Sequence, residues 1–213
     1  MGPAQLDCCS LSTLEEVLRA GDVASVIFWP DQLEETAFQK QIEPYASASQ
    51  QLGTAVVVAK FSRVAGRIGA DGLMLGADIA EVQSGVEKFA PTMMVGTSNV
   101  KNRHSALVLG EARPDFIMFG KPGGDIRPEP HPKNLDLGRW WAQMVEIPCI
   151  VMGGRDLNSV IDVARSGAEF VALGDAIFAP ELDATTELSA PERVQLSNQL
   201  LDEHAPRFET FED

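Results

Sequence analysis

Cysteine is scarce and badly spaced for chemistry in this 213-residue chain: the three are an adjacent pair, Cys8 and Cys9, and a lone Cys149 inside an apolar run. That pattern gives neither a disulfide framework nor the ligand spacing of a zinc site, and Cys149 reads as a small core residue. Apolar runs of membrane-spanning length are missing, as are leader-like and lipidation patterns, so a reducing, cytoplasmic setting is the expectation. Positive charge is also short, with 17 Lys and Arg against 31 Asp and Glu and a net charge of −14. Nucleic acid and anionic membrane surfaces select for basic protein and are excluded as main partners, although a local basic pocket is still allowed.

What the chain does have is hydrophobic content of 45%, enough for a sizeable core, laid out in short runs bounded by turn residues. Eight runs read as strands: Gln5 to Cys9 (the weakest), Ala24 to Trp29, Thr54 to Ala59, Gly72 to Leu75, Thr92 to Gly96, Phe116 to Gly120, Cys149 to Gly153 and Phe170 to Gly174. Helical stretches alternate with them: "TLEEVLRA" with Ser12 as its cap, "EETAFQKQIEPYASASQQL" with Pro44 to kink or split it, "SRVAGRI", "IAEVQSGVEKF", "NRHSALVLGEA", "LDLGRWWAQM" and Asn158 to Ser166. Strands that are apolar throughout and alternate with helices predict a parallel sheet covered on both faces. Eight of them in this length predict an α/β fold, a single-domain (β/α)8 TIM barrel, with an open doubly wound sheet as the alternative.

Five of these strands end in or meet a glycine, at Gly76, Gly96, Gly120, Gly153 and Gly174. Glycine at the C-terminal ends of barrel strands suits a ligand that approaches the backbone. The stretch "VMGGRDLNSVIDVARSGAEFVALGDAIF" puts two such turns after the last two strands, where barrels commonly build phosphate sites from free amide groups. A phosphorylated small molecule is therefore the expected ligand.

From about Val56 to Phe178 the chain resembles the thiamine phosphate synthase and thiazole tautomerase family of (β/α)8 barrels. The resemblance rests on "GADGLMLG", "VGTS", "PDFIMFG", "IPCIVMGG" and "SGAEFVALGDAIF", in the family's order. It implies a transferase of thiamine biosynthesis that joins a pyrimidine pyrophosphate to a thiazole phosphate, with Mg2+ stabilising the departing pyrophosphate. It also implies that Gly153, Gly154 and Gly174 hold phosphate. Asp175 stands beside them in the turn where the family usually has serine, either near the phosphate or as the cap of a helix beginning at Ala176. Ser98 matches a serine that donates to pyrophosphate, or else caps the next helix, and Lys133 stands for a phosphate-reaching lysine.

Other positions depart from the family pattern. Ile27, Trp29 and Asp31 replace its Gln-x-Arg-x-Lys signature, Ala59 and Lys60 replace its Asn-Asp pair, and Met74 replaces a histidine. Lys60 cannot coordinate a cation, which leaves Asp78, with Glu81 nearby, as the candidate for the metal. Lys60 and Lys121, the latter standing where the tautomerase branch has its histidine, become with Ser98 the candidate catalytic residues. The segment "KPGGDIRPEPHPKN" (Lys121 to Asn134) is long for a connector in a compact barrel and reads as a binding loop or lid, or as a stiff solvated ribbon.

Residues 1–180 form the expected barrel, and residues 181–213 an acidic C-terminal helix and tail packing on it. From Pro180 onward the chain has nine acidic residues and two arginines, with a helix near Pro191 to Glu203. Self-association is common in such barrels, but no residue here marks an interface.

Overall fold

Short strands with apolar residues at odd and even positions leave no face fit for water, and the chain covers both. In the computed structural model, which describes residues 1–2, 6–7, 9–179 and 187–206, seven parallel strands stand side by side in sequence order. They are β1 Ser25–Phe28, β2 Ala55–Ala59, β3 Gly72–Leu75, β4 Met94–Ser98, β5 Phe116–Phe119, β6 Cys149–Met152 and β7 Phe170–Ala172. The helices are α1 Leu11–Ala20, α2 Glu35–Gln51, α3 Ser62–Ile68, α4 Ile79–Phe89, α5 Arg103–Glu111, α6 Pro132–Met144, α7 Ser159–Ala164, α8 Asp175–Phe178 and α9 Ala190–His204. The strands curve into a half-barrel, an α/β fold of TIM-barrel-like form. Along β2, Val56 and Val58 join the outer core under the helices, while Val57 and Ala59 join an inner cluster with Met74, Phe116, Met118, Ile150 and Met152.

The expected first strand is not one. Leu6 and Asp7 are helical, with the Leu6 amide donating to the Gly2 carbonyl at 3.1 Å, and Cys9 lies outside any element; Gln5 and Cys8 fall outside the described residues. Beside β1 lies Met1 instead: its amino group donates to the Ile27 carbonyl, and its carbonyl accepts from the Trp29 amide. Burial lowers that amino group to about 4. Among the described residues no eighth strand stands between β1 and β7.

Three further differences have local causes. Pro44 does not split α2, which runs unbroken from Glu35 to Gln51 with Pro44 exposed while Phe38, Ile42, Ala46 and Ser49 hold the opposite stripe in the core. The cap of α1 is Ser10, whose hydroxyl accepts from the Thr13 amide at 3.1 Å, two residues before the expected Ser12. The fourth strand begins at Met94 because Thr92 is held in a turn by its amide and hydroxyl, both donating to the Phe89 carbonyl. Gly96 therefore lies inside β4 rather than at its end, where a Cβ would fall 2.1 Å from the Phe116 ring.

At the N-terminal ends of the strands an acidic residue immediately precedes β3, β5 and β7. Asp71, Asp115 and Glu169 accept hydrogen bonds from the amides of Val56, Val95 and Cys149 at 2.8, 2.7 and 2.8 Å. Burial, together with the charge of Glu169, pushes the Cys149 thiol up to about 12, in keeping with a core cysteine. The last described helix, α9, packs on α1 and α7. It is anchored by the fully buried Arg193, which donates to the carbonyls of Ala176 and Leu188 at 3.0 and 3.1 Å.

Candidate functional site

The parallel order brings the sequence-selected residues to one end of the sheet. Lys60 follows β2, Ser98 closes β4, Lys121 lies two residues past β5, Gly153 and Gly154 follow β6, and Gly174 and Asp175 follow β7. Lys133 lies farther out, exposed in the first turn of α6.

Lys60 is held in an unusual backbone state. Its φ is +72°, its amide donates to the Met74 carbonyl at 2.9 Å, and the Phe61 amide reaches back to the Ala59 carbonyl at 2.9 Å. A left-handed conformation in a residue with a Cβ costs on the order of 1 to 2 kcal/mol. The tight turn leaves Nζ 5.0 Å from the centre of the Phe61 ring, with the side chain exposed at the strand end.

Ser98 is buried and its hydroxyl reaches the Leu75 carbonyl at 3.4 Å. It is not a helix cap: α5 is capped by Asn102, which accepts from the Ser105 amide at 2.9 Å. Asp78 is exposed and caps α4, its Oδ1 accepting from the Glu81 amide at 2.9 Å. Among the described residues no group of three or more His, Cys, Asp or Glu is placed to hold a metal ion. Lys60 presents a cation where Mg2+ would need a donor, and Asp78 spends one carboxylate oxygen on the end of α4.

The two glycine turns are occupied from within the chain. After β6, the amides of Gly153 and Gly154 donate to the Ala172 carbonyl and the Ser159 hydroxyl, each at 2.9 Å. Those of Arg155 and Asp156 donate to the carbonyls of Arg127 and Pro128 at 2.8 and 3.1 Å. After β7, the amides of Gly174 and Asp175 both donate to Oδ2 of Asp125, at 3.1 and 2.6 Å. Asp175 is the first residue of α8 and Gly174 the cap position, so the helix begins one residue before the expected Ala176. Burial raises the Asp125 carboxyl above the ordinary carboxylate range, the charge of Asp175 adds to this, and the backbone amides oppose it.

Residues 121–131 thus lie across the strand ends. Gly123 passes against Trp29, and His131 caps α6 by accepting from the Lys133 amide at 3.2 Å. Two cavities open nearby. One of about 990 Å³ follows the inner cluster and the space between β1 and β7, reaching this end beside Trp29, Gly123 and Gly174. The other, of about 150 Å³, lies under the loop among Gly124, Arg127, His131, Asn134 and Gly153. Asp125 and the packing of Trp29 were not singled out from the sequence. Asp125 stands in the recognised loop, but nothing in "GGDI" says that its carboxylate will reach a turn some fifty residues away.

Comparison with known proteins agrees with this fold. A family model described as thiamine monophosphate synthase matches residues 3–177. The chain is 28% identical over 186 residues to the thiamine-phosphate synthase of Erythrobacter litoralis, covering 83% of this chain and 85% of that one. It is 27% identical over 171 residues to that of Hyphomonas neptunium, covering 78% and 77%. Among solved structures, thiamine phosphate pyrophosphorylase from Pyrococcus furiosus has the same fold, with a TM-score of 0.75 at 18% identity over 95% of this chain and 93% of that one.

Proposed function

The chain belongs to the thiamine monophosphate synthase family, and we propose that it binds a phosphorylated thiazole or pyrimidine at the C-terminal ends of its strands without carrying out the metal-assisted transfer. The family assignment puts it in thiamine biosynthesis. The observation that carries the finer reading is Lys60: an exposed cation, fixed by a left-handed turn at the end of β2, where the resemblance calls for a metal-binding aspartate. An ammonium group neutralises a phosphate oxygen as a point charge but cannot replace a divalent ion that bridges a leaving pyrophosphate.

Support also comes from what surrounds it. Lys121 is exposed past β5 and Ser98 closes β4, both at the end of the sheet where Lys60 lies. In this reading Lys60 and Lys121 neutralise the ligand's phosphate and Ser98 orients it, while Gly153, Gly154 and Gly174 let it approach the backbone. Lys133 is peripheral to it, and Asp175 takes part through its backbone amide.

Calorimetric titration of thiazole phosphate and pyrimidine pyrophosphate, with and without Mg2+, alongside a thiamine phosphate assay, tests this. Binding of thiazole phosphate that ignores Mg2+, with no product, is expected. Lys60→Asp should create Mg2+-dependent pyrophosphate binding. Turnover by the unaltered protein would sink the proposal.

A further inference from the structure

We propose that Asp125 decides which ligands enter this site: its carboxylate latches residues 121–131 over the strand ends, and a phosphate is admitted only when that carboxylate leaves the turn after β7. This rests on the phosphate-binding reading and adds the residue that controls access to it.

Asp125 is 2% exposed, and the two amides it accepts from lie 49 and 50 residues away in the chain. A carboxylate withdrawn this far from water is retained only where donors replace its hydration. The rest of the loop is fastened through main-chain groups, Arg127 and Pro128 giving their carbonyls to the Arg155 and Asp156 amides. Close approach on that side depends on Gly154, where a Cβ would fall 2.0 Å from the Pro128 carbonyl oxygen. Asp125 is thus a charged side chain among backbone fastenings, and it holds both of the amides after β7 that a phosphate would need.

Two anions cannot share those amides, because like charges a few ångströms apart repel strongly where water is excluded. The cavity under Gly124, Arg127 and His131 is about 150 Å³, below the roughly 300 Å³ at which small-molecule pockets begin, and where the larger cavity reaches Gly174 the turn's amides are already taken by Asp125. Phosphate entry and release of Asp125 are therefore one event. Ligands without a phosphate have nothing to offer the turn in exchange and leave the loop shut.

Inorganic phosphate and thiazole phosphate titrated into the wild type, Asp125→Ala and Asp125→Asn, with backbone amides followed by NMR and loop amides by hydrogen exchange, provide the test. Thermal melts establish that each variant is folded, and Asp125→Asn, which keeps an acceptor for both amides, serves if Asp125→Ala is not. The expected result is phosphate binding roughly tenfold tighter or more once the carboxylate is gone. Phosphate should also speed exchange at residues 121–131 in the wild type and leave it unchanged in Asp125→Ala, where the loop is already released. Equal affinity across the folded proteins, with shifts at the Gly174 and Asp175 amides, overturns the latch and leaves phosphate binding standing. Absence of shifts at the strand ends in every folded protein overturns both.

Discussion

Asp115 and Val95 hold each other by two hydrogen bonds: the Val95 amide donates to Asp115 Oδ2 at 2.7 Å, and the Asp115 amide donates to the Val95 carbonyl at 2.8 Å. Asp71 and Val56 repeat the arrangement at 2.8 and 2.9 Å. Both aspartates lie in the motifs "PDFIMFG" and "GADGLMLG" that carry the family resemblance, yet they clamp the end of the sheet opposite the candidate site. Their role is to close the ladder where the second amide of the neighbouring strand would otherwise be buried without an acceptor.

Asp115→Ala should therefore destabilise the fold by about 1 to 3 kcal/mol, the penalty for an unsatisfied buried amide. Asp115→Asn, which can still accept, should lose much less. Urea unfolding followed by circular dichroism distinguishes them; equal losses would mean that charge rather than hydrogen bonding matters there.

Gly96 faces Phe116 across β4 and β5, and a methyl group there would overlap the ring. Gly96→Ala should lower stability by about 1 to 3 kcal/mol through overpacking. Combining it with Phe116→Leu should recover part of that loss, and a strictly additive double-mutant cycle would count against the contact.

Lys60 should show a trade between stability and function. Replacing it with glycine removes the left-handed strain and should stabilise the protein by on the order of 1 kcal/mol. Ligand titration of the same variant should show weaker binding of thiazole phosphate. A variant that is less stable than the parent would show that the Lys60 side chain, over the Phe61 ring, contributes more than its backbone costs.

Asp125 sets a pH dependence whose sign follows from its surroundings. Burial raises its carboxyl, Asp175 reinforces that, and the amides of Gly174 and Asp175 act against it; the buried Met1 amino group also interacts with it. A folded-state value above the unfolded one makes the stability contribution complete below the ordinary carboxylate range, and it declines as pH rises through the folded value. The melting temperature of Asp125→Asn should accordingly gain on the wild type as pH rises from below the ordinary carboxylate range. A difference that stays flat across that range would contradict the burial argument.

The alternation of helix and strand was legible because each strand is apolar at consecutive positions and each helix carries a stripe, and α3 and α4 begin and end where the pattern put them. Errors fell where a local preference met a tertiary contact. Pro44 did not split its helix, whose opposite stripe is held in the core, and Gly96, expected at a strand end, sits under an aromatic ring. The segment at Leu6 and Asp7 turned helical. Gathering Lys60, Ser98, Lys121 and the glycine turns at one end was also readable, since residues after parallel strands share an end whatever the details.

What the sequence by itself determined is the parallel sheet, the end of it at which the candidate residues gather and the presence of a cation at position 60, because periodicity and residue type are local properties. Only the tertiary structure decided that the amides of both glycine turns are taken, by Ser159 and the Ala172, Arg127 and Pro128 carbonyls after β6 and by Asp125 after β7. A hydrogen bond spanning fifty residues leaves no mark on the spacing of either partner: it depends on where the folded sheet carries a loop, and on a buried carboxylate finding donors once water is gone.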